Sequence, residues 1–297
     1  MPALFAQFGF VTACPPAISV VGLIALASGF RALRGTTLRA PWWWAAGSIV
    51  SVAAGETAIA LFNFDGTAGA AQFRLAASTT TLLPVVALLG AKRPQDRAWQ
   101  LIVLSFWVLL ALPAAQAWLL RPESPPMMHC FWSCFLFLLA IFGATNYLPT
   151  RFWPAALLAA AGQIVLHWQY RPFAAAPTES QGLALWGLSL IVAAAVTVAL
   201  IARRPVAAGD PLNRMWIDFR NQFGAVWGLR IAERINAQAK QCSWQLTLGW
   251  HGFTTSYGGS FDSAGASVQP ELQAALRTLF RRFVSPEWID ARLRRLH

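Results

Sequence analysis

The sequence predicts an all-α polytopic membrane protein. Seven transmembrane helices are expected, with the N-terminus outside and the C-terminus inside, followed by a small, mainly α cytosolic region with one candidate β-strand or hairpin. Three observations predict this class. Hydrophobic residues make up 57% of the chain and charged residues only 12%, with a mean hydropathy of +0.49, whereas a soluble domain carries about 25% charged residues. Long uncharged stretches alternate with short charged or Pro-rich breaks until a polar tail begins near Arg203. Basic residues are strongly biased to alternate loops. The division is a bundle over residues 1–202 and a basic C-terminal region over 203–297.

Spans long enough to cross about 30 Å of hydrocarbon are expected at Pro15–Leu33, Pro41–Phe64, Leu75–Ala91, Ala98–Leu120, Cys130–Leu148, Phe152–Tyr170 and Leu183–Ile201. The first contains Pro15-Pro16, and Leu4–Thr12 is apolar too, so either helix one starts earlier with a kink or an interfacial segment precedes it. No Lys or Arg precedes Arg31, so the basic start of a secretory signal is missing and the segment reads as a retained span.

Orientation follows from the loops. Arg31, Arg34, Arg39, Lys92, Arg93, Arg97 and Arg151 fall on the side of the tail, against Arg74, Arg121 and Arg171 on the other. With the tail, 20 of 23 basic residues lie on one side, the inner one by the positive-inside rule. An inner (plasma) membrane location is expected. Trp42, Trp43 and Trp44, and Trp168 with Tyr170, suit interfacial aromatic belts. The net charge of +11 is largely this bias, so it calls for an anionic leaflet rather than nucleic acid.

In the tail, Asp210-Pro211 is a helix start, followed by Leu212, Trp216, Phe219, Phe223, Val226, Trp227, Ile231 and Ile235 at helical spacing. Trp244, Leu246, Leu248 and Trp250 alternate with polar residues or glycine as in a half-buried strand, and Ser260–Phe261 is its candidate return strand. Leu272, Leu276, Leu279, Phe280 and Phe283 mark a helix, and Ser285-Pro286-Glu287 starts the last one. This region is expected to cap the inner helix ends; a docking surface for a soluble cytosolic partner is the alternative.

Glu56 is the one acidic residue inside an expected span, so it must be protonated, paired or wetted. Asn63 lies seven residues on; Ser78, Thr79, Thr80 and Thr81 enter from the outer end of span three; Gln116 follows Pro113; Gln163 and His167 share a face of span six. Together these residues outline a candidate polar pocket in the outer half, with Glu56 and His167 as its titratable pair. Met127, Met128, His129, Cys130 and Cys134 form a second constellation, soft ligands of the kind that suit Cu(I), although the spacing matches no established metal signature. Cys14 is expected on the same side, within reach of a disulfide, and Cys242 in the tail is expected to be packed.

No G-x-S-x-G, H-E-x-x-H or P-loop pattern occurs, and the last span has no Lys for a retinal Schiff base, so enzyme is the least supported class and no cofactor is indicated. The expected role is a non-catalytic membrane subunit or assembly factor with membrane-protein partners. The alternative is a transport role, a small-solute or copper carrier using the outer-half pocket.

Overall fold

The computed structural model describes residues 2–95, 97–171, 180–204, 210–255 and 269–293, with side chains described throughout these except at 2–12, 180 and 269. The chain is mostly helical, at 77%, and the described residues include six helices long and apolar enough to cross a membrane and one small two-stranded sheet. In order, the helices before the C-terminal region are α1 (Pro2–Phe30), α2 (Arg39–Leu61), α3 (Ala68–Thr79), α4 (Leu83–Leu89), α5 (Trp99–Leu120), α6 (Cys130–Tyr147), α7 (Trp153–Trp168) and α8 (Ser180–Ala202). The C-terminal region adds α9 (Pro211–Gln241), β1 (Leu246–Gly249), β2 (Gly252–Thr255), α10 (Gln269–Phe280) and α11 (Pro286–Leu293).

The long apolar helices are those of an integral membrane protein. Val20, Ile24, Leu101, Val108, Leu138 and Leu200 point outward, as lipid-facing positions should, because hydrocarbon exerts no force to bury them. The six are Ala13–Leu33, Arg39–Leu61, Ala68–Leu89, Trp99–Leu120, Cys130–Tyr147 and Gln181–Ala202. Helix α1 starts earlier than the proline pair implied and runs through Pro15 and Pro16.

The third span differs from the expectation. It begins at Ala68, where the Thr67 side chain caps the helix by accepting from Ala70 N at 3.1 Å, so Arg74, expected in an outer loop, sits within α3 and is buried. A 3-10 turn at Thr80–Leu82 joins α3 to α4, because Pro84 has no N–H for the Thr80 carbonyl. The expected sixth span is also shorter: α7 has 16 residues, about 24 Å at 1.5 Å per residue. It packs against α6 and α8. Before it, Pro149 O accepts from Trp250 Nε1 of the C-terminal region at 2.9 Å; after it, Tyr170 Oη donates to Ala71 O near the start of α3 at 3.0 Å. Tyr170 is therefore buried, not part of an interfacial belt.

Close helix approach rests on glycine. A Cβ at Gly162 of α7 would lie 2.8 Å from Gly187 O of α8, and one at Gly22 of α1 would lie 2.8 Å from Val192. One apolar core joins α2, α7 and α8 with α1, and another joins α3 to α6.

The C-terminal region closes one end of the bundle, called here the proximal end. Trp216, Phe219, Phe223, Phe280 and Phe283 form its centre, and Leu38, Leu88 and Ala91 from the bundle's loops and helix ends belong to the same core. Backbone bonds fasten it: Thr37 N to Phe283 O at 2.9 Å, Arg93 N to Arg282 O at 2.7 Å and Ser285 N to Gly35 O at 2.6 Å. Asp210 caps α9 by accepting from Asn213 N at 3.0 Å. The expected apolar stripe of α9 is buried except at Val226, which is half-buried, and the helix breaks at Gly224 (φ 75°, ψ −170°). The strand's partner follows at once rather than at Ser260–Phe261, which lie outside the described residues. Gly249 pairs with Gly252 across the two-residue turn Trp250-His251. Cys242, expected to be packed, is exposed.

Candidate functional site

The polar residues expected to form one outer pocket fall into separate arrangements. Glu56, 2% exposed, is paired. Its Oε1 accepts from Arg74 Nε at 2.7 Å and its Oε2 from Arg74 Nη2 at 2.8 Å, while Arg74 Nη1 reaches Asp65 Oδ1 at 2.9 Å. Such a fork-to-carboxylate pair offsets the cost of placing both charges among apolar helices. Composition flags Glu56, but nothing local marks Arg74 as its partner, because the bond joins α2 to α3.

His167 is buried with other partners. Its Nδ1 lies 2.7 Å from Gln163 O and its Nε2 3.4 Å from Ser78 Oγ. Gln163 Nε2 donates to Thr81 O at 2.7 Å. Thr79 and Thr80 each return their hydroxyl to a carbonyl three residues back, the local bond by which a membrane helix satisfies a hydroxyl. Asn63 lies beyond the end of α2 with φ 55° and is exposed, as is Gln116 on α5.

The sulfur-rich segment is open to the surroundings except at Met128. Met127 is 85% exposed and Met128 5%. Cys130 and Cys134 are exposed with Sγ atoms 3.9 Å apart, and His129 Nδ1 accepts from Phe131 N at 3.3 Å. Among the described residues no three His, Cys, Asp or Glu side chains converge to hold a metal. All four cysteines, Cys14 included, are free.

A cavity lies at the proximal end, between the bundle and α9. It encloses about 580 Å³, within the usual range for ligand sites of roughly 300–1,000 Å³. Its deep walls are apolar or small, among them Ile49, Val85, Leu88, Ala159, Ile191 and Ala195. Gln163 and Thr81 lie at its inner reach, so two of the residues expected to form the outer-half pocket line this one.

Its proximal rim is polar. Asp218, Asn221 and Gln222 come from α9, Asn146 and Tyr147 from the end of α6, and Arg151 and Arg204 from loops. Asp218 is engaged by Arg292, Nε to Oδ2 at 2.8 Å. Arg151 Nη1 donates to Arg204 O at 3.1 Å; burial pushes its guanidinium below the ordinary range, against the opposing pull of Asp218, yet an arginine stays charged.

Three rim atoms have no hydrogen-bond partner among the described residues: Asn146 Nδ2, Arg151 Nε and Gln222 Oε1. Asn146 is 4% exposed, and its Oδ1 accepts from Val226 N at 2.9 Å, which fixes the amide so that Nδ2 is the free donor. Val226 N is available for that bond because α9 breaks at Gly224, against which the Asn146 amide is packed so closely that no Cβ fits. Buried donors without partners are rare in folded proteins and mark places where something else completes the bond.

No family model matches this chain, and neither a curated protein nor a solved structure matches it.

Proposed function

We propose that this chain is a non-catalytic membrane protein that holds an amphipathic molecule with an anionic head in the proximal cavity, as an accessory factor or carrier. One observation carries the reading: an apolar bore of about 580 Å³ ends in a rim whose Asn146, Arg151 and Gln222 each keep an unmet hydrogen-bonding atom. The bore suits an acyl or isoprenoid chain and the rim a head that accepts from Asn146 and Arg151. Among the described lining residues the one carboxylate, Asp218, is already bound to Arg292, which leaves Arg151 and Arg204 in excess and favours a negative head. Binding fits this rim better than catalysis, since that carboxylate is not free to act as a base.

The same proposal takes the chain as seven-spanning, with the proximal end inside. In support, the loops carrying Arg34, Lys92 and Arg151 all gather at the end that the C-terminal region covers, and α7 passes from that end to the other despite its 16 residues. Basic residues at the inner face agree with the positive-inside rule. A variant keeping Cys242 as its one cysteine, treated with a membrane-impermeant maleimide on intact cells, is expected to be labelled after lysis alone; labelling before lysis overturns the orientation.

The ligand reading is tested by mass spectrometry of lipids extracted from protein purified in mild detergent. The wild type is expected to retain one amphiphile per chain, and Ala159→Phe, which fills the bore, to lose it at an unchanged melting temperature. Equal lipid content in the two would remove the proposal.

A further inference from the structure

A second site shares Trp227 alone with the lining of the cavity and does not rest on the reading above. Lys92, Arg230, Arg234 and Arg282 ring a cleft of about 100 Å³ with Trp227 and Phe283 in its walls. That volume is several times the ~30 Å³ share of one water and well below the roughly 300 Å³ at which organic ligand pockets begin. It suits a compact group.

The four cations come from three separated stretches. Arg230 and Arg234 stand one turn apart on α9, Arg282 follows α10, and Lys92 follows α4. The fold draws them together, because Arg93 N donates to Arg282 O at 2.7 Å and Trp227 Nε1 donates to Leu88 O at 3.1 Å. Arg230 also lies over the Trp227 ring, 5.2 Å from its centroid. Among the described residues no carboxylate lines the cleft, Glu233 between Arg230 and Arg234 in sequence included. Among the described residues, none of the four cations forms an ion pair with an acidic side chain. Like charges held together on bonded backbone segments repel unless an anion joins them.

Position narrows the anion. Lys92 lies three residues beyond Leu89, where a candidate span ends, so the cleft opens at the level where phospholipid headgroups lie. Arginine forks match phosphate oxygens, and Lys adds a point charge. We infer that this cleft binds a phosphate group, carried by an anionic phospholipid headgroup or present as free phosphate, and that Lys92, Arg230, Arg234 and Arg282 are its ligands.

The full chain in neutral detergent, followed by native mass spectrometry, provides the test. Probes are phosphatidic acid, phosphatidylcholine and inorganic phosphate. The wild type is expected to hold phosphatidic acid in preference to phosphatidylcholine, and Arg230→Gln/Arg234→Gln/Arg282→Gln to weaken that binding on the order of a hundredfold, near-surface charges each being worth roughly a factor of five. Arg31→Gln/Lys240→Gln/Arg281→Gln, which removes the same charge from exposed positions elsewhere, is expected to bind as the wild type does. Lipid binding indifferent to inorganic phosphate assigns the headgroup; competition by inorganic phosphate assigns the free anion. The inference is overturned if both triple variants lose binding equally, or if neither phosphatidic acid nor phosphate binds the wild type more tightly than the cleft variant.

Discussion

Arg74→Met leaves the carboxylate of Glu56, 2% exposed, without the guanidinium that now bonds both its oxygens at 2.7 and 2.8 Å. Breaking a buried pair on one side costs about 3–5 kcal/mol, since the surviving charge stays desolvated. Asp65 loses the same partner but is 44% exposed at its side chain, so water replaces most of that interaction. Nearly all of the cost therefore belongs to Glu56. A chain of this size is expected to melt roughly 10 °C lower in detergent, followed by the loss of its monodisperse peak on size exclusion. The double variant Glu56→Met/Arg74→Met removes both charges at similar volume and is expected to recover to within about 1–2 kcal/mol of the wild type. If the double variant is as unstable as the sum of the two single ones, the pair is not the unit described here.

Gly224→Ala puts a Cβ into the Asn146 amide at a positive φ and is expected to cost roughly 1–3 kcal/mol, seen as earlier melting and as faster amide exchange at Val226. Gly162→Leu separates α7 from α8, where Gly187 O lies 2.8 Å from the added Cβ; a loss of about 1–3 kcal/mol is expected, and an unchanged melting temperature would sink the close-packing account. Asp210→Ala removes the cap on Asn213 N and should weaken α9 by about 1 kcal/mol, with exchange rising in its first turn and unaffected in α5.

Much of the fold is legible residue by residue. In a bilayer every backbone group must bond within its own helix, so an uninterrupted apolar run already dictates structure; Trp99–Leu120 and Cys130–Tyr147 depart from their expected spans by a single residue. Boundaries slipped where a polar residue found a tertiary partner. Arg74 reads as a loop residue until Glu56 neutralises it, and the third span then begins at Ala68, well before Leu75. The hairpin slipped for a different reason. The turn at Trp250-His251 carries none of the Asn-Gly or Asp-Gly signal that marks a tight turn, and the glycine that adopts positive φ, Gly252, comes after it.

The candidate sites divide along the same line. Glu56, Gln163 and His167 stand out in sequence because ionisable or amide side chains are costly among apolar helices. Asn146, Gln222, Arg230 and Arg282 do not stand out, since each lies near a helix end or on an amphipathic helix where polar residues are ordinary. Composition, apolar run length and the placement of basic residues decide by themselves that this is a helical membrane protein with a basic C-terminal region, because transfer free energy depends on residue type alone. Which polar atoms meet, and which are left waiting at the rim between α6 and α9, depends on how distant helices pack. Only the tertiary structure decides that, because partner choice is a property of distances between segments that the chain order does not contain.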